Sequence, residues 1–208
     1  MIFNRSRDSQ YRSQRKTKTR PASACNVTVA AMACMMTGNE INSPEGVMPE
    51  DYLMSLLETE EAWNLLNSIF PGSVINPWNT SHCIAWAVNK GTGKRVCRVE
   101  KVTLEEIIHH LVSGGAAGVG GKFTKSGHFV CIAGVESDQD ITGIESPLDI
   151  KTSLIKNIIL DDPWGDYRTG YQNRDGNNVS LPVKDFINLT FGKESVKTVQ
   201  MYYPVAIG

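Results

Sequence analysis

The stretch Ser23-Ala24-Cys25-Asn26-Val27-Thr28-Val29-Ala30-Ala31-Met32-Ala33-Cys34-Met35-Met36-Thr37-Gly38 decides how the chain is read. From Val27 to Met36 it is strongly apolar, Ser23 is placed to cap a helix N-terminus, and Gly38 stands where that helix would stop. Its apolar residues go almost all the way round the predicted helix, the pattern of a central helix packed on several sides rather than one skirting the surface. Such a helix needs layers to pack against, and the rest of the sequence supplies them.

Toward the C-terminus, Tyr52, Leu53, Leu56, Leu57, Trp63, Leu65, Leu66 and Ile69 recur at helical spacing between Pro44 and Phe70 and read as two helices, ended by Pro71 and Gly72. Ser81–Val88 reads as a further short helix and Arg95–Lys101 alternates like a strand. Thr103-x-x-Glu106 is a capping box opening a helix to about Val112, which Gly114 and Gly115 stop. Ala116–Phe123, His128–Val135 and Asn157–Leu160 read as strands. Loops rich in Asp, Gly and Asn follow, with a short helix near Asp185–Leu189 and a strand near Lys197–Tyr203. Helices come first and strands later, which favours an α+β architecture, a helical lobe against an antiparallel sheet, over a doubly wound α/β fold. Toward the N-terminus, residues 1–22 form a basic arm with no hydrophobic period of its own, closed by Pro21, that must lie against something else.

At 208 residues the chain is long enough for one substantial core, read as a single domain at 23–208 carrying a helical insertion at about 44–90. A hydrophobic content of 41% and a charged content of 21% are ordinary for a soluble globular protein, and no run of eighteen apolar residues exists to cross a bilayer. No apolar segment follows the N-terminal arginines, so a secretory signal is not expected and the expected location is cytoplasmic. Five cysteines, at 25, 34, 83, 97 and 131, form no CxxC pair and suggest neither a disulfide framework nor a structural zinc site. Residues 1–20 carry seven basic groups against Asp8 alone, +6, leaving 14 basic and 21 acidic groups on the remainder, −7. The strip reads as a solvated arm on an acidic body, and no nucleic-acid partner is expected because only Phe3 and Tyr11 could stack on bases.

Cys25 falls at the first turn of the apolar helix, where the dipole and free backbone N–H groups favour a thiolate and could hold an oxyanion. Taken alone it would be a core cysteine. In Gly127-His128-Phe129-Val130 a histidine opens an apolar strand after a glycine, and in Ile159-Leu160-Asp161-Asp162-Pro163-Trp164-Gly165 a strand runs into turn chemistry. Singly these read as a structural histidine and a turn. Together, Cys on a helix, His on a strand and Asp at the end of the next strand give the order a thiol-imidazole-carboxylate triad requires. A metal site from His82, Cys83, His109 and His110 lacks ligand spacing, because neighbouring residues on a helix or strand point apart.

The segments Tyr11-Arg12-Ser13-Gln14-Arg15, Ala24-Cys25-Asn26-Val27-Thr28, Gly127-His128-Phe129-Val130 and Asp161-Asp162-Pro163-Trp164-Gly165 resemble the signature blocks of family thirty-nine of the cysteine peptidases in standalone form. That family includes the bacteriocin-processing leader peptidases and has a papain-like fold. The resemblance implies a cysteine peptidase of bacterial or phage type with Cys25 as nucleophile, His128 as base, Asp162 as the residue orienting it, and Gln14, on the arm, donating to the oxyanion hole. The choice of Asp162 over Asp161 rests on the family's Asp-Pro register. The family's Asp-Asn pair after the glutamine block is replaced here by Arg15-Lys16-Thr17-Lys18, and the transporter segments of the exporting members are absent. The substrate expected is a peptide or a peptidoglycan-type cross-link, and no cofactor is called for because the side chains complete the chemistry. The same triad also serves an acyltransferase of transglutaminase type, and a non-catalytic binding module could retain the fold.

Overall fold

In a computed structural model, which describes residues 1–204, the apolar stretch forms helix α1 (Cys25–Met36). Only Cys25 and Met35 on it escape full burial, as an all-round apolar helix requires. The remaining helices are α2 (Pro49–Leu57), α3 (Glu60–Ile69), α4 (Ser81–Thr92), α5 (Leu104–Val112) and α6 (Val183–Thr190). The strands are β1 (Ile2–Asn4), β2 (Cys97–Val102), β3 (Ala116–Gly121), β4 (His128–Ser137), β5 (Ile155–Asp161), β6 (Val179–Pro182) and β7 (Lys197–Tyr202). All strand pairs are antiparallel, in the order β2-β7-β3-β4-β5-β6, with β1 lying against β4 beyond the end of β3. The fold is α+β.

The sheet is covered on both faces. One core joins α1, α2 and α4 to Phe129, Cys131 and Ala133 of β4; the other joins α5 and α6 to Val130 and Ile132 of the same strand. Strand β4 is therefore buried on both sides, which is why it reads as a continuous apolar run without alternation. The expected helical lobe supplies one layer; α5 and α6 add a second on the opposite face. The predicted capping box at Thr103 and Glu106 is formed in both directions.

Two readings change. Residues 1–22 are not wholly irregular: β1 pairs Phe3 with Val135, and three short 3-10 turns follow at Asp8–Gln10, Gln14–Lys16 and Pro21–Ser23. Gly134 makes that pairing possible, since a Cβ there would sit 2.3 Å from the Phe3 carbonyl oxygen. Acidic residues of α2 hold the rest of the segment: Arg12 pairs with buried Glu50 at 2.9 Å, and Asp51 accepts the N–H groups of Lys18 and Thr19, each at 2.9 Å. The second change is at Ser23, which lies in a 3-10 turn one residue too early to cap α1; Ala24 occupies the cap position and no side chain caps it.

Candidate active site

Lacking a side-chain cap, the N–H groups of Cys25, Asn26 and Val27 have no hydrogen-bond acceptor among the described residues. A serine cap would have consumed one of them; its absence leaves the end of α1 with free donors. The turn that delivers Cys25 is fixed from outside. Arg20 adopts a left-handed conformation, φ 50°, and is held by Glu58 at 2.7 Å and by the Trp78 ring, 4.3 Å from its guanidinium. Both partners belong to the 44–90 segment, which thereby positions the entry to α1. Asn26 donates to the Trp78 carbonyl at 3.0 Å and adds a second tie.

Among the five free cysteines only Cys25 is partly exposed. Burial pushes the Cys34 thiol up to about 12 and raises those of Cys83, Cys97 and Cys131, which keeps them protonated and inert. Cys25, Ser23, Asn26, Ser126 and His128 line one cavity of about 510 Å³.

His128 starts β4 beside Gly127, whose φ of 83° suits glycine. Its Nε2 lies 2.7 Å from Asp162 Oδ1, and both side chains are buried. Burial is the largest single influence and would lower the imidazole's pKa, but the hydrogen bond to Asp162, the interaction with Cys25 and the charges of both together outweigh it, carrying His128 up to about 9. Nε2 thus serves the carboxylate, and His128 shares its cavity with Cys25.

Asp162 follows the last residue of β5. Its Oδ1 also accepts the Trp164 N–H at 2.9 Å, and the Tyr171 hydroxyl makes a long contact of 3.4 Å to Oδ2. The turn is gripped from two sides. From the arm, Tyr11 donates to the Asp162 carbonyl at 3.1 Å, Gln14 N–H donates to the Pro163 carbonyl at 3.0 Å, and the Arg15 guanidinium stacks 3.6 Å over Trp164. From the other side, Gly176 abuts the turn so closely that a Cβ there would fall 2.0 Å from the Asp162 carbonyl oxygen. Asp161 faces elsewhere, accepting from Ser6 at 2.5 Å and from the Asn178 N–H at 2.9 Å.

The structure therefore brings Cys25, His128 and Asp162 together and leaves Gln14 apart. Gln14 is 2% exposed, its Nε2 donates to the Pro21 carbonyl at 2.8 Å, and it is not part of the cavity wall. The cavity-side donors present are the N–H groups of α1. Sequence reasoning did not find Tyr171, whose ring stands edge-on to His128 at 6.1 Å between centroids and whose backbone has φ 65°. Its signal was one of three aromatics, with Trp164 and Tyr167, in a polar loop that carries no period. Burial raises its pKa, as does the Asp162 charge, so its hydroxyl stays protonated and able to donate. No protein family, characterised protein or solved structure matches this chain. Among the described residues no helix is long and apolar enough to cross a membrane.

Proposed function

We propose that this chain is a papain-like cysteine hydrolase that cleaves a peptide or related amide bond, of the kind implied by its resemblance to the standalone bacteriocin-processing peptidases. The observation that carries the reading is one cavity wall holding both a partly exposed thiol at an uncapped helix N-terminus and His128, which is backed by buried Asp162.

In this mechanism His128 holds the proton and Cys25 the negative charge. The thiolate attacks the carbonyl carbon, and the resulting oxyanion takes the Cys25 N–H. Gln14, with one amide N–H on the Pro21 carbonyl and its side chain outside the cavity wall, becomes a second donor only if it moves toward the thiol. His128 gives its proton to the leaving amine as the C–N bond breaks, leaving a thioester. Water then attacks, His128 accepts its proton, and the carboxylic product leaves with the thiolate restored. Asp162 holds the ring in the productive orientation throughout. A peptidoglycan cross-link is chemically the same substrate class.

The test is competitive alkylation with iodoacetamide at neutral pH, read by peptide mapping. Cys25 should react fastest by at least tenfold, and His128→Ala should slow that labelling. Fastest reaction at Cys34, Cys83, Cys97 or Cys131 would sink the reading.

A further inference from the structure

Beyond Gly118 the sheet opens. Strand β3 pairs with β7 only from Ala116 to Gly118, yet stays paired with β4 out to Gly121 opposite His128. Strand β7 turns away with β2, to which it is paired as far as Lys197. The β7-facing side of Val119, Gly120 and Gly121 thus has no strand partner, and among the described residues these three make no backbone hydrogen bond outside the β4 ladder. Glycine at two of the three positions adds no side chain to that edge; the Phe123 ring and the Leu189 carbonyl already crowd Gly121, so another backbone finds its closest approach at Gly120, beside the Phe129 ring.

The gap between the two strands is a cavity of about 610 Å³. It shares Gly120, Gly121 and Phe129 with the cavity holding Cys25 and His128, so the two form one groove leading away from the thiol. Lys122, Lys193 and Lys197 line it, and Glu194 is the one acidic residue among its lining. None of the three lysines forms an ion pair among the described residues. A cluster of unpaired cations is unexpected on a body whose residues after position 20 sum to −7.

We propose that this groove is a substrate subsite for an extended, acidic peptide segment. Resting on the hydrolase reading above, it places small substrate residues along the Val119–Gly121 edge as an added antiparallel or parallel strand. A carboxylate further along the peptide meets Lys122, Lys193 and Lys197. Backbone pairing supplies tolerance of sequence near the scissile bond, and the lysines supply the selectivity.

The experiment uses the full chain carrying Cys25→Ala, titrated calorimetrically at low salt with the hexapeptide Glu-Glu-Glu-Gly-Gly-Gly, with its reversed-order counterpart, and with the same two peptides bearing lysine for glutamate. At least one acidic peptide should bind about tenfold more tightly than its lysine counterpart. The double variant Lys193→Glu/Lys197→Glu, at solvent-accessible positions and with an unchanged melting temperature, should reverse that preference. Amides of residues 119–121 should gain hydrogen-exchange protection on binding. Equal binding of acidic and basic peptides, no binding of any, a preference that survives the charge reversal, or protection confined to other segments overturns the proposal. The two readings fail separately: acidic-peptide binding with an unreactive Cys25 leaves the groove and removes the chemistry, whereas a reactive Cys25 without charge preference does the reverse.

Discussion

Asp161 and Asp162 are neighbours in the chain and both are buried, yet they do different things because successive residues at a strand end point to opposite sides. Asp162 meets His128; Asp161 meets Ser6 and Asn178 on the arm side. Asp162→Asn should therefore lower hydrolysis by roughly 10³-fold with the fold retained, while Asp161→Asn should leave turnover within about threefold and lower stability by about 1 kcal/mol. Turnover of the two variants beside their urea midpoints separates the roles. The histidine also writes a pH signature. Its folded pKa, about 9, lies above its unfolded value near 6.5, so the stability it contributes is fully present below about 6.5 and is lost as pH rises through about 9. Chemical denaturation between pH 6 and 10 should show that decline, and Asp162→Asn should flatten it. Hydrolysis should fall over the same upper range as the leaving amine loses its proton donor. Tyr171→Phe, which removes the contact to Asp162, is expected to lower kcat several-fold with little change in KM.

At the scale of elements, the seat of α1 on the sheet depends on Gly118. A Cβ there would lie 2.8 Å from a Val29 methyl and 2.9 Å from the Phe129 ring, so Gly118→Ala should cost about 1–3 kcal/mol through overpacking. Urea unfolding measures the loss, and slower alkylation of Cys25 should accompany it if the helix is displaced. The long elements were legible in the sequence because each carried a period or a cap: α1 by its unbroken apolar run, α5 by the Thr103–Glu106 box, β4 by burial on both faces. Strands β1 and β6 were not, being three and four residues long and hence too short to show alternation. Ser23 misled because a cap is a matter of one residue, and the Pro21 turn uses Ser23 up first. Likewise His128 and an Asp at 161 or 162 could be read from strand boundaries, with Asp162 picked out only by the resemblance's Asp-Pro register, whereas the engagement of Gln14 with Pro21 depends on how the arm folds back, which no local pattern encodes.

Across the whole molecule, the first twenty-two residues act as a brace that touches α2, the Asp162 turn and β4. Its main anchor is Arg12 against Glu50, the latter 1% exposed. Arg12→Ala strands a buried carboxylate and should destabilise the protein by about 3 kcal/mol, whereas Arg12→Leu with Glu50→Leu should recover most of the loss; thermal unfolding of the three variants checks it. The pairing of Phe3 with Val135 has a further consequence, in time rather than space. Phe3 is synthesised about 130 residues before Val135 and must wait for its partner strand, and contacts so distant in sequence close late and slowly. Cys25 emerges long before His128, Asp162 and the brace that holds them. Under the proposed chemistry a half-folded chain holds Cys25 without its imidazole, so fast alkylation of Cys25 should report completed folding.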